Sequence, residues 1–385
     1  MGFWPWTASM CARPSRSTNS RAKGSSATLT GDFLQSERVG SRSGFLPDRV
    51  IHLHPTRLCN LACLHCYSES NPRQKAALDP RGLSDALCLL RAEGYTAISL
   101  SGGEPLAYPP LRTIIERSRE MGFRVTMISN GLLATERMDP LISLLDGVAI
   151  SFDGLAPTHN ELRGRVDAFE RACIGLQRLA AQGFPVAAAI SLTRDSIPEL
   201  PDLADHLVSL GARVLQIRPV ARAGRARSLA DTLFYSDSDH ARLYLVALSL
   251  QREIGDDVRV HCDLAPAQGL WLRRDAYASL LGGRETLGYE NQPLAELVNP
   301  LVITDTGVLK PIAYDFSGLF DITSMGNLSP GDRRRYKQQR LPDFRALVGS
   351  ALEDLQDHHG LVDWFDYCTR LSESWNACRS DVLLH

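Results

Sequence analysis

The sequence predicts an α/β protein: a parallel sheet wrapped by helices and curled into a partial (β/α)6 barrel, with a smaller α+β extension behind it. Three observations carry that prediction. Apolar, β-branched runs alternate with amphipathic helical runs in six successive steps. Helical runs repeatedly close on glycine, the residue a left-handed C-cap prefers, and the next apolar run follows within a few positions. Parallel strands need crossover helices, and right-handed crossovers curl such a sheet toward a barrel.

The elements follow in order. RVIHLHP reads as the first strand, and GLSDALCLLRAEG as an amphipathic helix closed by Gly94. TAISLSGGEP is a strand running into a glycine turn. LRTIIERSREMG is a helix before the strand FRVTMISNG, and ERMDPLISLLDG a helix before VAISFDG. AFERACIGLQRLAAQG leads into VAAAISLT, and IPELPDLADHLVSLG into ARVLQIRPV. Residues 1–44 start aromatic and continue rich in Ser, Thr, Arg and Gly without apolar periodicity, so they are expected to be a disordered extension. The barrel is assigned to 45–228, where the alternation is expected to stop. Residues 229–385 form the smaller unit, opening with a capped helix (YSDSDHARLYLVALSLQREIGDD) and a strand (VRVHCD).

Composition excludes several function classes. The formal net charge is −2 over 385 residues, which disfavours a nucleic-acid partner. No apolar run approaches the ~18 residues of a membrane span, and the N-terminus lacks the apolar core of a secretory signal. Nine cysteines are too few, and odd in number, for a secreted disulfide scaffold. A reducing cytoplasm fits best, where clustered cysteines serve metals or catalysis.

In a barrel of this kind chemistry sits at the C-terminal ends of the strands. RLCNLACLHCYSES, with Cys59, Cys63 and Cys66, follows strand one. Gly102, Gly103 and Glu104 follow strand two, Ser129 and Asn130 end strand three, Ser151 and Asp153 lie on strand four, and Arg218 ends strand six. Three thiolates on one short loop suit an iron–sulfur cubane with one iron left open. A partial zinc site and chance core cysteines are the competing readings; paired CxxC units, usual for zinc knuckles, are missing here. Cys88 and Cys173 lie on helix faces and are expected in the core.

CNLACLHC followed by SGGEP, SNG and SFDG resembles the ordered motifs of radical S-adenosylmethionine (SAM) enzymes over roughly residues 49–228. The resemblance implies one [4Fe–4S] cluster held by Cys59, Cys63 and Cys66, its open iron chelated by SAM. It implies reductive cleavage to methionine and a 5′-deoxyadenosyl radical, and an electron donor such as flavodoxin or ferredoxin. It places His65 near the adenine, Gly102, Gly103 and Glu104 near the methionine amine, and Ser129 and Asn130 near ribose or methionine. Ser151 and Asp153 match a further position, Arg163 one near the SAM carboxylate, and Arg218 one near the adenine. Arg163 and Arg218 also read as ordinary surface arginines.

LVITDTGVLKPIAYDFSGLFDITSMGNLSPG is similar in texture to the SPASM extension of peptide-modifying radical SAM enzymes. Ile312 stands where that extension carries a cysteine, so an auxiliary cluster is doubtful; Cys262, Cys368 and Cys378 are what remain to build one. GDRRRYKQQR reads as a solvated helix face. His358 and His359 read as a surface helix, since adjacent helical residues diverge by ~100° and do not share an ion. The function expected is maturation of a ribosomally made peptide, by cross-linking or epimerisation. The alternative is tailoring of a small molecule or cofactor, and a catalytically idle scaffold is the non-enzyme reading.

Overall fold

The computed structural model describes residues 48–274 and 291–382, with side chains through residue 375. The disordered extension expected at 1–44 and the side chain of Cys378 therefore lie outside the described residues. Seven strands run parallel in chain order: β1 Val50–Leu53, β2 Ala97–Leu100, β3 Arg124–Ser129, β4 Gly147–Phe152, β5 Val186–Leu192, β6 Val214–Pro219 and β7 Arg259–Cys262. Helices of eight residues or more connect them: α1 Pro80–Ala92, α2 Leu111–Glu120, α3 Ala156–Arg163, α4 Ala168–Ala181, α5 Leu200–Ser209 and α6 Asp237–Ile254. Each strand neighbours the next, as in a barrel, but the sheet stays open. Strands β1, β2 and β5 are buried on nearly every residue, as parallel strands covered on both faces must be.

Local chemistry explains the helix ends. The Asp79 carboxylate accepts from the Gly82 N–H and caps α1, and Pro80 begins the helix where its missing N–H costs nothing. Gly94, Gly122, Gly183 and Gly211 follow α1, α2, α4 and α5 with positive φ. Ser236 and Asp239 form a capping box at the start of α6.

The alternation does not stop at 228. Helix α6 and strand β7 add a seventh step, with Arg259 opposite Val214 in parallel register. After β8 Leu264–Pro266 come β9 Leu301–Ile303, β10 Val308–Pro311 and β11 Thr323–Ser324, then α7 Pro330–Gln339, α8 Leu341–Asp354, β12 Leu361–Asp363 and α9 Trp364–Val382. Strand β9 pairs parallel with β1, so the meander β9–β10–β11 extends the barrel sheet from its first strand. β12 and β8 form a separate antiparallel pair.

Other expectations change in detail. ERMDPLISLLDG is a four-residue helix, Ala134–Arg137, followed by the 3-10 turn Asp139–Leu144, because Pro140 removes a backbone donor and disfavours α geometry before it. Cys88 is exposed rather than core: α1 buries Leu83, Ala86, Leu87 and Leu90, and Cys88 falls off that stripe. Cys173 is buried. His358 and His359 lie in the bend between α8 and β12, not on a helix. His358 Nδ1 accepts from the Gly360 N–H, and His359 Nδ1 meets the Gln268 side chain at 2.8 Å. The basic run lies on α7, yet its inner face docks: Tyr336 and Lys337 are buried and Arg333 pairs with Glu93 at 2.9 Å. Among the described residues no helix is long and apolar enough to cross a membrane.

Candidate active site

One cavity opens at the C-terminal ends of the barrel strands. Cys59, Cys63, His65, Cys66, Gly102, Gly103, Ser129, Asn130, Ser151, Asp153, Arg163 and Arg218 all line it. Glu104 is the remaining predicted residue; it lies fully buried behind the wall.

The cysteine loop leaves β1 and is held open by its own backbone. Arg57 N–H donates to the Ala76 carbonyl at 3.0 Å and Cys59 N–H to Asn71 at 3.3 Å. Leu61 N–H points at Cys59 Sγ (3.4 Å), and Asn130 Nδ2 lies 3.8 Å from the same sulfur. Burial, followed by the charge of Glu104, pushes the Cys59 thiol up to about 12. Burial pushes Cys63 up to about 11 against the pull of Arg163. Thiolates here are unfavourable until a positively charged inorganic centre arrives to bind them. Among the described residues no three His, Cys, Asp or Glu side chains gather as a single metal ion requires. Three cysteines around one cavity are instead a donor set suited to an iron–sulfur cluster.

The glycine turn after β2 packs directly on that loop. Gly103 N–H donates to Thr56 O and Glu104 N–H to Leu58 O, both at 2.9 Å. A Cβ on Gly103 would stand 2.3 Å from the Leu58 carbonyl oxygen, so the chain itself occupies the space that the missing side chain leaves. Glu104 then ties β2 to β3. Its Oε1 accepts from Leu106 N–H (3.1 Å) and the Ser129 hydroxyl (2.9 Å), and its Oε2 accepts from Asn130 N–H (2.8 Å). Burial raises the carboxyl above its ordinary value while these three donors oppose the shift. Motifs 25 residues apart in the chain thus become one braced wall.

Asp153, at the end of β4, is the electrostatic centre of the site. Arg163, from the last turn of α3, grips it with Nε to Oδ2 at 2.5 Å and Nη2 to Oδ1 at 3.1 Å. Arg163 is 6% exposed, which removes the surface-arginine alternative. His65 Nε2 approaches Asp153 Oδ1 at 3.2 Å. Burial opposes the Asp153 charge, but Arg163 and then His65 outweigh it and hold the carboxyl well below the usual carboxylate range. His159 Nδ1 accepts the Asp153 backbone N–H at 3.2 Å, so its ring is neutral and its 3.4 Å contact with the carboxylate is no ion pair. Burial lowers His159 to about 3, in agreement. Arg218 reaches Asp263 at 3.4 Å, and Gln216 donates to both oxygens of that aspartate.

Three features escape the sequence motifs. Gly224, with φ +52°, lies so close to the cysteine loop that a Cβ would meet Tyr67 O at 2.2 Å and Cys66 O at 2.6 Å. Arg225 beside it donates Nε to Cys63 O and Nη2 to Ser70 O, each at 2.8 Å. Tyr67 packs edge-on against His54 and Tyr314, while those two rings stack at 4.8 Å, so β10's flank reaches the loop through aromatic contact. The glycine in VARAGRA was the available signal for the first of these, but an arginine-rich loop has no periodicity to single it out. Cys262 is partly buried and Cys368 fully so within the apolar core.

An open β/α barrel whose strand ends surround a three-cysteine loop defines the class. Residues 53–207 match the radical SAM superfamily. The cofactors of that family are a [4Fe–4S] cluster and S-adenosylmethionine. The chain is 28% identical over 189 residues to the sporulation killing factor maturation protein SkfB of Bacillus subtilis (strain 168), covering 49% of this chain and 46% of that protein. It is 28% identical over 202 residues to pre-heme d1 synthase of Dinoroseobacter shibae, covering 51% and 48%. The chain thus spans about half the length of the curated relatives it matches. Among solved structures, Streptococcus suis SuiB bound to S-adenosylmethionine superposes with a TM-score of 0.58 at 15% identity, over 78% of this chain and 68% of that one. Native anSMEcpe with bound AdoMet and Cp18Cys peptide gives 0.58 at 14% identity, over 83% and 87%. These last two show a shared fold that reaches beyond residues 53–207.

Proposed function

We propose that this chain is a radical SAM enzyme that modifies a ribosomally made peptide by cross-linking or epimerisation. The observation that carries the reading is the convergence of Cys59, Cys63 and Cys66 on one cavity with the Glu104–Ser129–Asn130 wall. When bound, the cluster and SAM supply a 5′-deoxyadenosyl radical that removes a substrate hydrogen atom. The three cysteines hold the cluster. Gly102, Gly103, Ser129 and Asn130 shape the floor beneath SAM, which Glu104 keeps rigid from behind. Arg163 and His65, both anchored on Asp153, would face the cofactor's carboxylate and adenine. Ser151 and Arg218 complete the rim. A small one-electron carrier, flavodoxin or ferredoxin, is the proposed reductant. The barrel, which continues through β7, does the chemistry and the segment after it covers the substrate.

A peptide substrate draws on SkfB and on the mycofactocin maturase MftC of Mycobacterium tuberculosis, both maturation proteins by name. A small-molecule substrate is the second reading, favoured by the buried Ile312, an apolar residue where the SPASM extension carries a cysteine. Anaerobic reconstitution with iron and sulfide, followed by dithionite and SAM, tests the reading. A brown protein that releases 5′-deoxyadenosine is the expected result. Loss of colour and product in the Cys59/Cys63/Cys66 triple alanine variant is required. Colour and SAM cleavage persisting in that variant would overturn the proposal.

A further inference from the structure

The cavity is walled by residues 59–221 with a single exception, Asp363. It is the one lining side chain, among the described residues, that the C-terminal part supplies. Its position follows from pairing. Asp363 ends β12 opposite Leu264 of β8, next in sequence to Asp263, which already pairs with Arg218. This places it beside β6 and β7, at the opposite end of the barrel sheet from the strand that feeds the cysteine loop.

Two backbone bonds fix the side chain there. Oδ1 accepts from Phe365 N–H at 3.1 Å and from Asp366 N–H at 3.2 Å, capping α9. Among the described residues nothing donates to Oδ2, and no Lys, Arg or His lies within ion-pairing distance of the carboxylate. The cations on the cavity wall are committed elsewhere, Arg163 to Asp153 and Arg218 to Asp263. Capping alone would be served equally by a neutral Asn or Ser. With Oδ1 taken by the helix cap, Oδ2 is the oxygen left for a donor that arrives with the ligand.

Building on the radical SAM reading, we propose that Asp363 is the substrate-specificity residue of this cavity and seats a cationic group, an amine or guanidinium, of the molecule being modified. It positions the substrate from the far side while the cysteine end holds the cofactors.

Fluorescence anisotropy on the reconstituted protein with SAM tests this, using labelled acetyl-Gly-Gly-Lys-Gly-Gly-amide and its norleucine twin. The lysine peptide should bind about tenfold more tightly than the norleucine one. In Asp363→Asn, which preserves the helix cap, the two should bind alike, with the norleucine affinity and the melting temperature unchanged. Competition by n-butylamine on the native protein alone would assign the site to a free small amine. Failure of butylamine to compete would assign it to an amine carried on a peptide. Equal binding of the two peptides by the native protein, a lysine preference surviving in Asp363→Asn, or no binding of either peptide overturns the inference. Iron content and 5′-deoxyadenosine release, measured on the same samples, report separately on the radical SAM reading.

Discussion

Arg225 donates from Nε to the carbonyl oxygen of Cys63 at 2.8 Å, so a residue beyond the last predicted strand clamps the middle of the cysteine loop. The adjoining Gly224 makes that approach sterically possible. In Gly224→Ala, a Cβ would fall 2.2 Å from Tyr67 O at a backbone of φ +52°, so the loop or the 220s segment must move. Backbone strain alone costs about 1–3 kcal/mol. Iron bound after reconstitution should fall at least severalfold in Gly224→Ala and less in Arg225→Lys, as measured by colorimetric iron assay. Full iron loading in Gly224→Ala would show that the clamp is dispensable.

Arg163→Met removes the bidentate partner of a buried carboxylate. Breaking a buried pair from one side costs about 3–5 kcal/mol, because the remaining charge is left without compensation. Urea denaturation should show that loss, and Arg163→Lys should recover part of it without the bidentate geometry. A loss under about 1 kcal/mol would mean His65 suffices to hold Asp153.

Acid should destabilise the fold early. Burial, the first cause for each, lowers His52, His54 and His159 to about 3. All three are therefore neutral in the folded chain, whereas in the unfolded chain they take up protons near pH 6.5. Their contribution is fully present above that value and is lost as pH falls from about 6.5 toward 3, with Asp153 adding a further loss below the ordinary aspartate pKa. Three protons bound only on unfolding give a slope of up to about 4 kcal/mol per pH unit. Unfolding midpoints at pH 7.5, 6.5 and 5.5 should fall in that order, most steeply in the last step. A flat profile across that range would contradict the neutral, buried state of these rings.

A single cluster is expected. Cys368 is fully buried in the apolar core, and the apolar Ile312 occupies the position of the SPASM extension's cysteine. Cys262→Ser and Cys368→Ala should leave iron at about four per chain, the content of one cubane. Any of Cys59, Cys63 or Cys66 changed to alanine should remove most of it. Near eight irons in the native protein, falling to four in Cys262→Ser, would establish an auxiliary cluster.

The alternation of apolar runs, the Gly closures and the order of the motifs are local properties, so the sequence by itself determined the parallel α/β architecture and the strand ends that carry chemistry. Three cysteines in eight positions were legible for the same reason. Cys88 departs from the expected core because a helix stripe is only a few residues wide, and one step around α1 separates Leu87 in the core from an exposed thiol.

What only the tertiary structure decided are contacts between residues far apart in the chain, which no spacing rule encodes. Glu104 reads as a candidate cofactor contact until its oxygens are seen to be taken by Leu106, Ser129 and Asn130. Arg163 and Arg218 read equally as cofactor contacts and as surface arginines until Asp153 and Asp263 are placed against them. The pairing of β9 with β1, the Arg225 clamp and the arrival of Asp363 in the cavity each bring together segments more than 140 residues apart. Local propensity selects which elements form; the geometry of a curled sheet selects which side chains meet at its mouth.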